Sequence, residues 1–104
     1  MTPHRGEVYD VRFPSGRRPA VVVTRERVIP YLSGVTVVQV TRTVRGLPTE
    51  VPLGREHGLD HDSVVNCDTL ATVPKAALER YRGTLGPVEL ARLREALRLV
   101  LELD

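Results

Sequence analysis

Hydrophobic and polar residues alternate along the first part of the chain. Residues 6–13 follow a period of two, which is typical of a strand with one face buried. Residues 21–24 form an unbroken β-branched run, which predicts a second, buried strand. This strand is expected to begin at Pro19, because proline has no amide hydrogen to donate to a sheet. Residues 14–16 predict a turn, so the two strands should form an antiparallel hairpin.

Four further strands follow along the chain. They are predicted at residues 35–41, 50–53, 63–70 and 80–85. Thr41 ends the third strand, and Pro52 confines the fourth to a sheet edge or a bulge. Residues 25–29 predict one helical turn that Pro30 ends, and residues 42–48 predict a loop. The pattern is that of a small antiparallel sheet.

After Pro87 the hydrophobic period becomes that of a helix. Leu90, Leu93 and Leu97 fall on one stripe, and charged residues occupy the other side. A proline near the first turn, with Glu89 close to the positive end of the helix dipole, favours a helix start there. We therefore predict an α+β fold that is mainly β, in which a C-terminal amphipathic helix covers one end of a curled antiparallel sheet.

Composition narrows the class of protein. The chain has 104 residues and 41% hydrophobic content, which predicts a single domain over residues 1–104 with a modest core. It has no long apolar run and no signal peptide, so we expect a cytoplasmic protein. The one cysteine, Cys67, cannot form an internal disulfide, and its apolar neighbours predict a small buried side chain rather than a catalytic thiol.

Positive charge is concentrated in the first half of the chain. Residues 1–46 hold eight arginines against three acidic residues, whereas residues 47–72 hold one arginine against five. A guanidinium group matches phosphate and stacks on bases better than an ammonium does. Arg18 is held extended at a strand mouth by Pro19, so it is the candidate for binding or stabilising a phosphate. A solvated turn arginine is the alternative interpretation.

A second candidate site is the histidine pair at residues 57–62. His57 and His61 are four residues apart and are flanked by carboxylates, a composition that could bind a divalent metal. This spacing converges on a helix, but Gly58 and the turn-like surroundings argue against a helix here. A solvated loop is therefore the favoured interpretation.

Five motifs occur in one order along nearly the whole chain. They are Arg5-Gly6-Glu7-Val8, Arg18-Pro19-Ala20-Val21-Val22-Val23-Thr24, Val38-Gln39-Val40-Thr41, Ser63-Val64-Val65-Asn66-Cys67-Asp68 and Gly83-Thr84-Leu85. Together with the terminal helix they resemble the MazF/PemK toxins. The resemblance implies an SH3-like barrel, a homodimer, a cognate antitoxin protein as partner, and a metal-independent endoribonuclease of a type II toxin–antitoxin system that uses no cofactor.

The resemblance also implies roles for individual residues. Arg18 matches the family's catalytic arginine, and Thr41 matches its catalytic threonine at a strand end. Asp68 matches an acidic position that acts in catalysis or RNA binding in some members. The expected RNA contacts are Arg17, Arg25, Arg42, Thr43 and Arg45. The chain departs from the family in its short first loop, residues 14–17, which retains no acid–base residue.

The chemistry of RNA cleavage also points to these residues, independently of the family resemblance. RNA carries its own nucleophile, the 2′-hydroxyl, so a protein must deprotonate it, stabilise the charge on phosphorus and protonate the leaving oxygen. None of these tasks requires a metal. Arg18 suits charge stabilisation and is an unlikely base because guanidinium stays protonated. Thr41 is a candidate hydrogen-bond donor to the same phosphate, and Asp68 is a candidate base, which leaves the proton-transfer group open.

Two other functions fit the same sequence. A related toxin group with this barrel poisons DNA gyrase through its C-terminal helix and does not cut RNA. A plain SH3-like interaction module is the third interpretation. Dependence of cleavage on the substrate's 2′-hydroxyl distinguishes the nuclease from both.

Overall fold

A six-stranded antiparallel sheet dominates the computed structural model, which describes residues 2–103. The strands are β1 (Glu7–Phe13), β2 (Gly16–Val22), β3 (Gly34–Thr41), β4 (Glu50–Leu53), β5 (Ser63–Pro74) and β6 (Leu78–Thr84). Their order in the sheet is β4-β5-β3-β2-β1-β6, with β4 at one edge as Pro52 predicts. The described residues also form three 3₁₀ segments (Glu26–Tyr31, Arg55–His57 and Lys75–Ala77) and one helix, α1 (Pro87–Val100).

The valine-rich strands are buried on both faces of this sheet. Val21 belongs to one cluster and Val22 to the other, because successive side chains of a strand point to opposite faces. Helix α1 covers the first cluster with Leu93 and Ala96, and Ile29 of the first 3₁₀ segment packs into the second. The unbroken apolar run thus reflects two-sided burial. The curled half-barrel with its C-terminal helix confirms the predicted fold class.

The structure corrects several predicted boundaries. Strand β2 begins at Gly16, so the prediction that it starts at Pro19 is wrong. Asp10 of β1 opposes Pro19, but pairing of β2 with β3 starts only at Ala20. Pro19 is tolerated inside the strand because it has no partner on the β3 side. The first 3₁₀ segment includes Pro30. Strand β5 extends to Pro74 and β6 starts at Leu78, each beyond its predicted limit.

Strand β5 contains a local irregularity that shapes the surface near Thr41. Its pairing with β3 steps from Leu70 opposite Val38 to Val65 opposite Val40, so residues 66–69 oppose a single residue of β3. The Thr69 hydroxyl closes this bulge by donating to the Asn66 carbonyl at 2.7 Å. No helix within residues 2–103 is both long and apolar enough to cross a membrane.

Replacing Leu93 with alanine should destabilise the protein by about 3 kcal/mol, because its fully buried side chain ties α1 to the sheet. Chemical denaturation of the purified protein measures this change. Leu99→Ala on the same helix is the matched control, since that side chain is 56% exposed. Its free energy of unfolding should change by less than about 0.5 kcal/mol. Equal losses in the two variants would contradict the observed docking face of α1.

Candidate active site

A cleft of about 370 Å³ opens where β2 begins and β3 ends. The two strands pair from Ala20 opposite Gln39 inward, so the residues before Ala20 and after Gln39 are not joined by ladder hydrogen bonds. Arg18 and Thr41 lie in this unpaired region, and both line the cleft. The structure therefore brings the two predicted catalytic residues to one surface depression.

The cleft carries excess positive charge. Arg17, Arg18 and Arg42 all line it. The Arg17 guanidinium is partly neutralised by Glu79, with Nε 2.8 Å from Oε1. Arg18 and Arg42 are exposed, and within residues 2–103 neither forms an ion pair. Two unneutralised guanidinium groups at one opening are suited to holding a phosphate.

The Thr41 hydroxyl is oriented by the backbone that follows it. Its oxygen accepts a hydrogen bond from the Thr43 amide at 3.1 Å. Because the hydroxyl is engaged as an acceptor, its own hydrogen stays available for donation. Thr41 is only half-buried, so a ligand in the cleft can receive that hydrogen bond.

The cleft is also lined by residues that the sequence analysis did not assign to the site of Arg18 and Thr41. Arg82 of β6 is 10% exposed and forms ion pairs with Asp10 at 3.0 Å and with Asp60 at 3.2 Å. Its Nε also donates to the Gly58 carbonyl at 3.0 Å. These contacts attach residues 58–60 to the sheet. Arg82, Asp60, His61 and Ser63 line the cleft as a result.

The two histidines of residues 57–62 have different environments. His57 is buried, so the predicted solvated loop is wrong for this residue. Its Nδ1 accepts from the Gly54 amide at 3.1 Å, which places the ring hydrogen on Nε2, 3.5 Å from a Glu89 carboxylate oxygen. Backbone amides at the start of α1, together with His57, lower the pKa of Glu89. His57 thus connects its loop to α1, whereas His61 is exposed and lines the cleft.

A second, smaller depression of about 170 Å³ adjoins the cleft. Thr41 and Thr43 line both, and Arg45 lines the second together with Asn66 and Thr69 of the bulge. A groove therefore runs from Arg18 past the two threonines to Arg45.

Two predicted site residues lie outside the cleft and the second depression. Asp68 is exposed on the bulge of β5, and its carboxylate accepts from the Thr49 hydroxyl at 2.8 Å. Arg25 follows the far end of β2 and precedes the first 3₁₀ segment. The structure brings together five of the predicted residues in the cleft and Arg45 beside it, but not these two.

Cys67 is fully buried in the cluster beneath α1, as its apolar neighbours predict. Burial, with a smaller effect of the Asp68 charge, raises the pKa of its thiol to about 11. The thiol is therefore protonated at neutral pH and is not a nucleophile.

Comparison with known protein families gives a match over almost the whole chain. Residues 4–101 match the family described as PemK-like, MazF-like toxin of type II toxin-antitoxin system. Endoribonuclease MazF3 of Mycobacterium tuberculosis is 45% identical over 87 residues, which cover 84% of each chain. Probable endoribonuclease MazF2 of the same organism is 42% identical over 93 residues, which cover 88% of each chain.

Solved structures give the same result. Mycobacterium tuberculosis toxin MazF-mt6 superimposes with a TM-score of 0.89 and 40% identity, covering 94% of this chain and 98% of its own. A mycobacterial endoribonuclease in complex with its cognate antitoxin superimposes with a TM-score of 0.90 and 30% identity, covering 98% and 97%. With the family match, the sequence identities and the shared fold together, the chain belongs to the PemK-like, MazF-like toxins of type II toxin–antitoxin systems.

Proposed function

We propose that this toxin is a metal-independent endoribonuclease that cleaves single-stranded RNA at specific sequences. The observation that carries the proposal is the shared cleft of Arg18 and Thr41, which offers a permanent positive charge and a free hydroxyl hydrogen to one phosphate. The family match supports it, as do the relatives that are named endoribonucleases.

The reaction uses a nucleophile that the substrate supplies. The 2′-hydroxyl oxygen attacks the adjacent phosphorus, the bond from phosphorus to the 5′ oxygen breaks, and a 2′,3′-cyclic phosphate and a 5′-hydroxyl result. Arg18 donates to the phosphate oxygens as their negative charge increases, an effect worth on the order of 3 kcal/mol for one positioned donor. The Thr41 hydroxyl donates to the same phosphate and fixes its orientation.

The groove provides a path for the flanking nucleotides. Arg42 and Arg17 lie beside the phosphate position, and Thr43 and Arg45 extend the path into the second depression. An open groove on a sheet surface accepts a single strand with splayed bases, whereas a base-paired helix would hide those bases. The role we propose for Asp68, which is exposed on the adjoining bulge, is to orient a flanking nucleotide. Arg25 contributes only if the RNA extends to the far end of β2.

The assembly we propose is a homodimer that a cognate antitoxin protein binds. For the antitoxin, the support is a mycobacterial relative whose structure is described as a complex with its cognate antitoxin. The homodimer is what the resemblance to the family implies. The antitoxin would silence the toxin by occupying the RNA groove or by distorting it.

An RNA oligonucleotide with a single 2′-deoxy substitution tests the proposal. The all-RNA substrate should be cleaved in excess chelator, whereas the substrate lacking the 2′-hydroxyl at the scissile position should stay intact. Mass spectrometry of the products should find the cyclic phosphate. Cleavage of the deoxy substrate would overturn the mechanism. Failure to cut any RNA, with inhibition of gyrase supercoiling, would favour the gyrase poison.

A further inference from the structure

The proposed cleavage requires a group that accepts the 2′-hydroxyl proton, and Arg18 and Thr41 do not provide it. A guanidinium is already protonated and cannot accept another proton at neutral pH, and a threonine hydroxyl is a poor base. The turn between β1 and β2, Pro14-Ser15, and the first two residues of β2, Gly16 and Arg17, contain no group that accepts a proton at neutral pH. Asp68 lies outside the cleft. Another element must therefore supply the base.

His61 lies where a group that accepts the 2′-hydroxyl proton is needed. It is exposed and lines the same cleft as Arg18 and Thr41. Within the part of the chain that the structure describes, its imidazole ring has no hydrogen bond or ion pair, and only its backbone carbonyl is engaged, by the Ser63 hydroxyl at 3.0 Å. The ring is therefore free to exchange a proton with a ligand.

The fold holds the His61 backbone close to Thr41. Strand β5 begins at Ser63, and its second residue, Val64, pairs with Thr41 in the sheet. On the other side of His61, the Asp60 carboxylate is fixed by Arg82 at 3.2 Å. His61 thus lies between two attachment points, one on β5 and one on β6.

The other charged groups that face the cleft do not compete for this role. They are Arg17 and Arg18 from β2, Arg42 after β3, Asp60 from the same loop and Arg82 from β6. The arginines stay protonated at any pH where RNA is stable. The Asp60 carboxylate is paired with Arg82, and the neighbouring Asp62 lies near Gly54, away from the cleft lining. Among the described lining residues, His61 is the one whose type titrates between about pH 5 and 8.

We propose that His61 is the general base of the cleavage reaction, an inference that rests on the proposed nuclease function. The neutral imidazole takes the proton of the 2′-hydroxyl as its oxygen bonds to phosphorus. The 5′ oxygen leaves with the electron pair of its bond to phosphorus and takes a proton from water. The imidazolium then returns its proton to the resulting hydroxide, which restores neutral His61 and closes the cycle.

The test compares His61→Gln with the unmodified protein across pH. In the unmodified protein, kcat/KM should rise through the range in which histidine titrates, about pH 5 to 7, and then level off. His61→Gln should lower kcat/KM about a hundredfold and remove that rise. Added imidazole should restore cleavage to His61→Ala. Affinity for the uncleavable deoxy oligonucleotide should be unchanged, because the proton transfer is a transition-state effect.

His4→Gln is the matched control. His4 is also exposed, but its ring is 2.6 Å from the Glu26 carboxylate, on a different part of the surface from the cleft. This variant should retain the full rate and the full pH profile. A His61→Gln variant that keeps the rise with pH, or that loses affinity and rate equally, would overturn the assignment to His61. Absence of cleavage by the unmodified protein would instead overturn the nuclease function itself.

Discussion

Replacing Arg18 with alanine is expected to reduce kcat/KM for RNA cleavage by roughly two-hundredfold, which corresponds to about 3 kcal/mol for one donor to a developing oxyanion. Arg18 lines the cleft, is exposed and has no ion pair within residues 2–103, so its charge is not committed to the fold. The free energy of unfolding should therefore change by less than about 0.5 kcal/mol. Single-turnover cleavage and denaturation of the same preparation measure both quantities.

Arg27→Ala is the control for the loss of one positive charge. Arg27 is exposed on the first 3₁₀ segment, away from the residues that line the cleft. Its removal should change kcat/KM less than about threefold, mainly through long-range attraction of RNA that salt screens. A folded Arg18→Ala variant that cleaves at the unmodified rate would refute the assignment of Arg18 to the catalytic site.

Much of the fold could be predicted because local signals and burial agree. The fourth strand was predicted at its observed bounds, and its place at a sheet edge agrees with Pro52, which has no amide hydrogen for a neighbouring strand. The helix was predicted because its apolar stripe begins immediately after a proline. The start of β2 was misplaced because proline is excluded from a strand that pairs on both sides. At Pro19 the strand pairs with β1 only, since its pairing with β3 starts at Ala20. That missing neighbour is also what opens the cleft.

Some residues of the candidate site could likewise be predicted from the sequence, and others could not. The resemblance to a family identified Arg18 and Thr41 from short motifs that lie in sequence next to a strand end. Arg82, Asp60 and His61 could not be found by that route, because their place in the cleft depends on how β5 and β6 pair with β3 and β1. A periodic pattern predicts strands but not which strands are neighbours. The acids and histidines of residues 57–62 were the signal available, and they were interpreted as a solvated loop, with a metal site as the alternative.

Replacing Gly58 with alanine should destabilise the protein by roughly 3 kcal/mol, the sum of a strained backbone and an overpacked contact. Gly58 has a φ of +86°, and an added Cβ would overlap the Arg82 carbonyl oxygen and lie 2.5 Å from its carbonyl carbon. Gly83 makes the reciprocal close approach, with a Cβ there 2.6 Å from the His57 carbonyl oxygen. The two backbones cannot separate freely, since Arg82 Nε also bonds the Gly58 carbonyl.

The Gly46→Ala variant separates the cost of the strained backbone from the cost of the overpacked contact. Gly46 also has a positive φ, +74°, but nothing lies within 4 Å of an added Cβ, so only the backbone cost of about 1 kcal/mol applies. Thermal unfolding should therefore show a melting temperature lower by roughly 15 °C for Gly58→Ala and by roughly 5 °C for Gly46→Ala. Equal shifts would mean that the added Cβ at residue 58 is accommodated without a packing cost against β6. A larger shift for Gly58→Ala, accompanied by slower cleavage, would link this contact to the position of His61, because the same loop carries both residues.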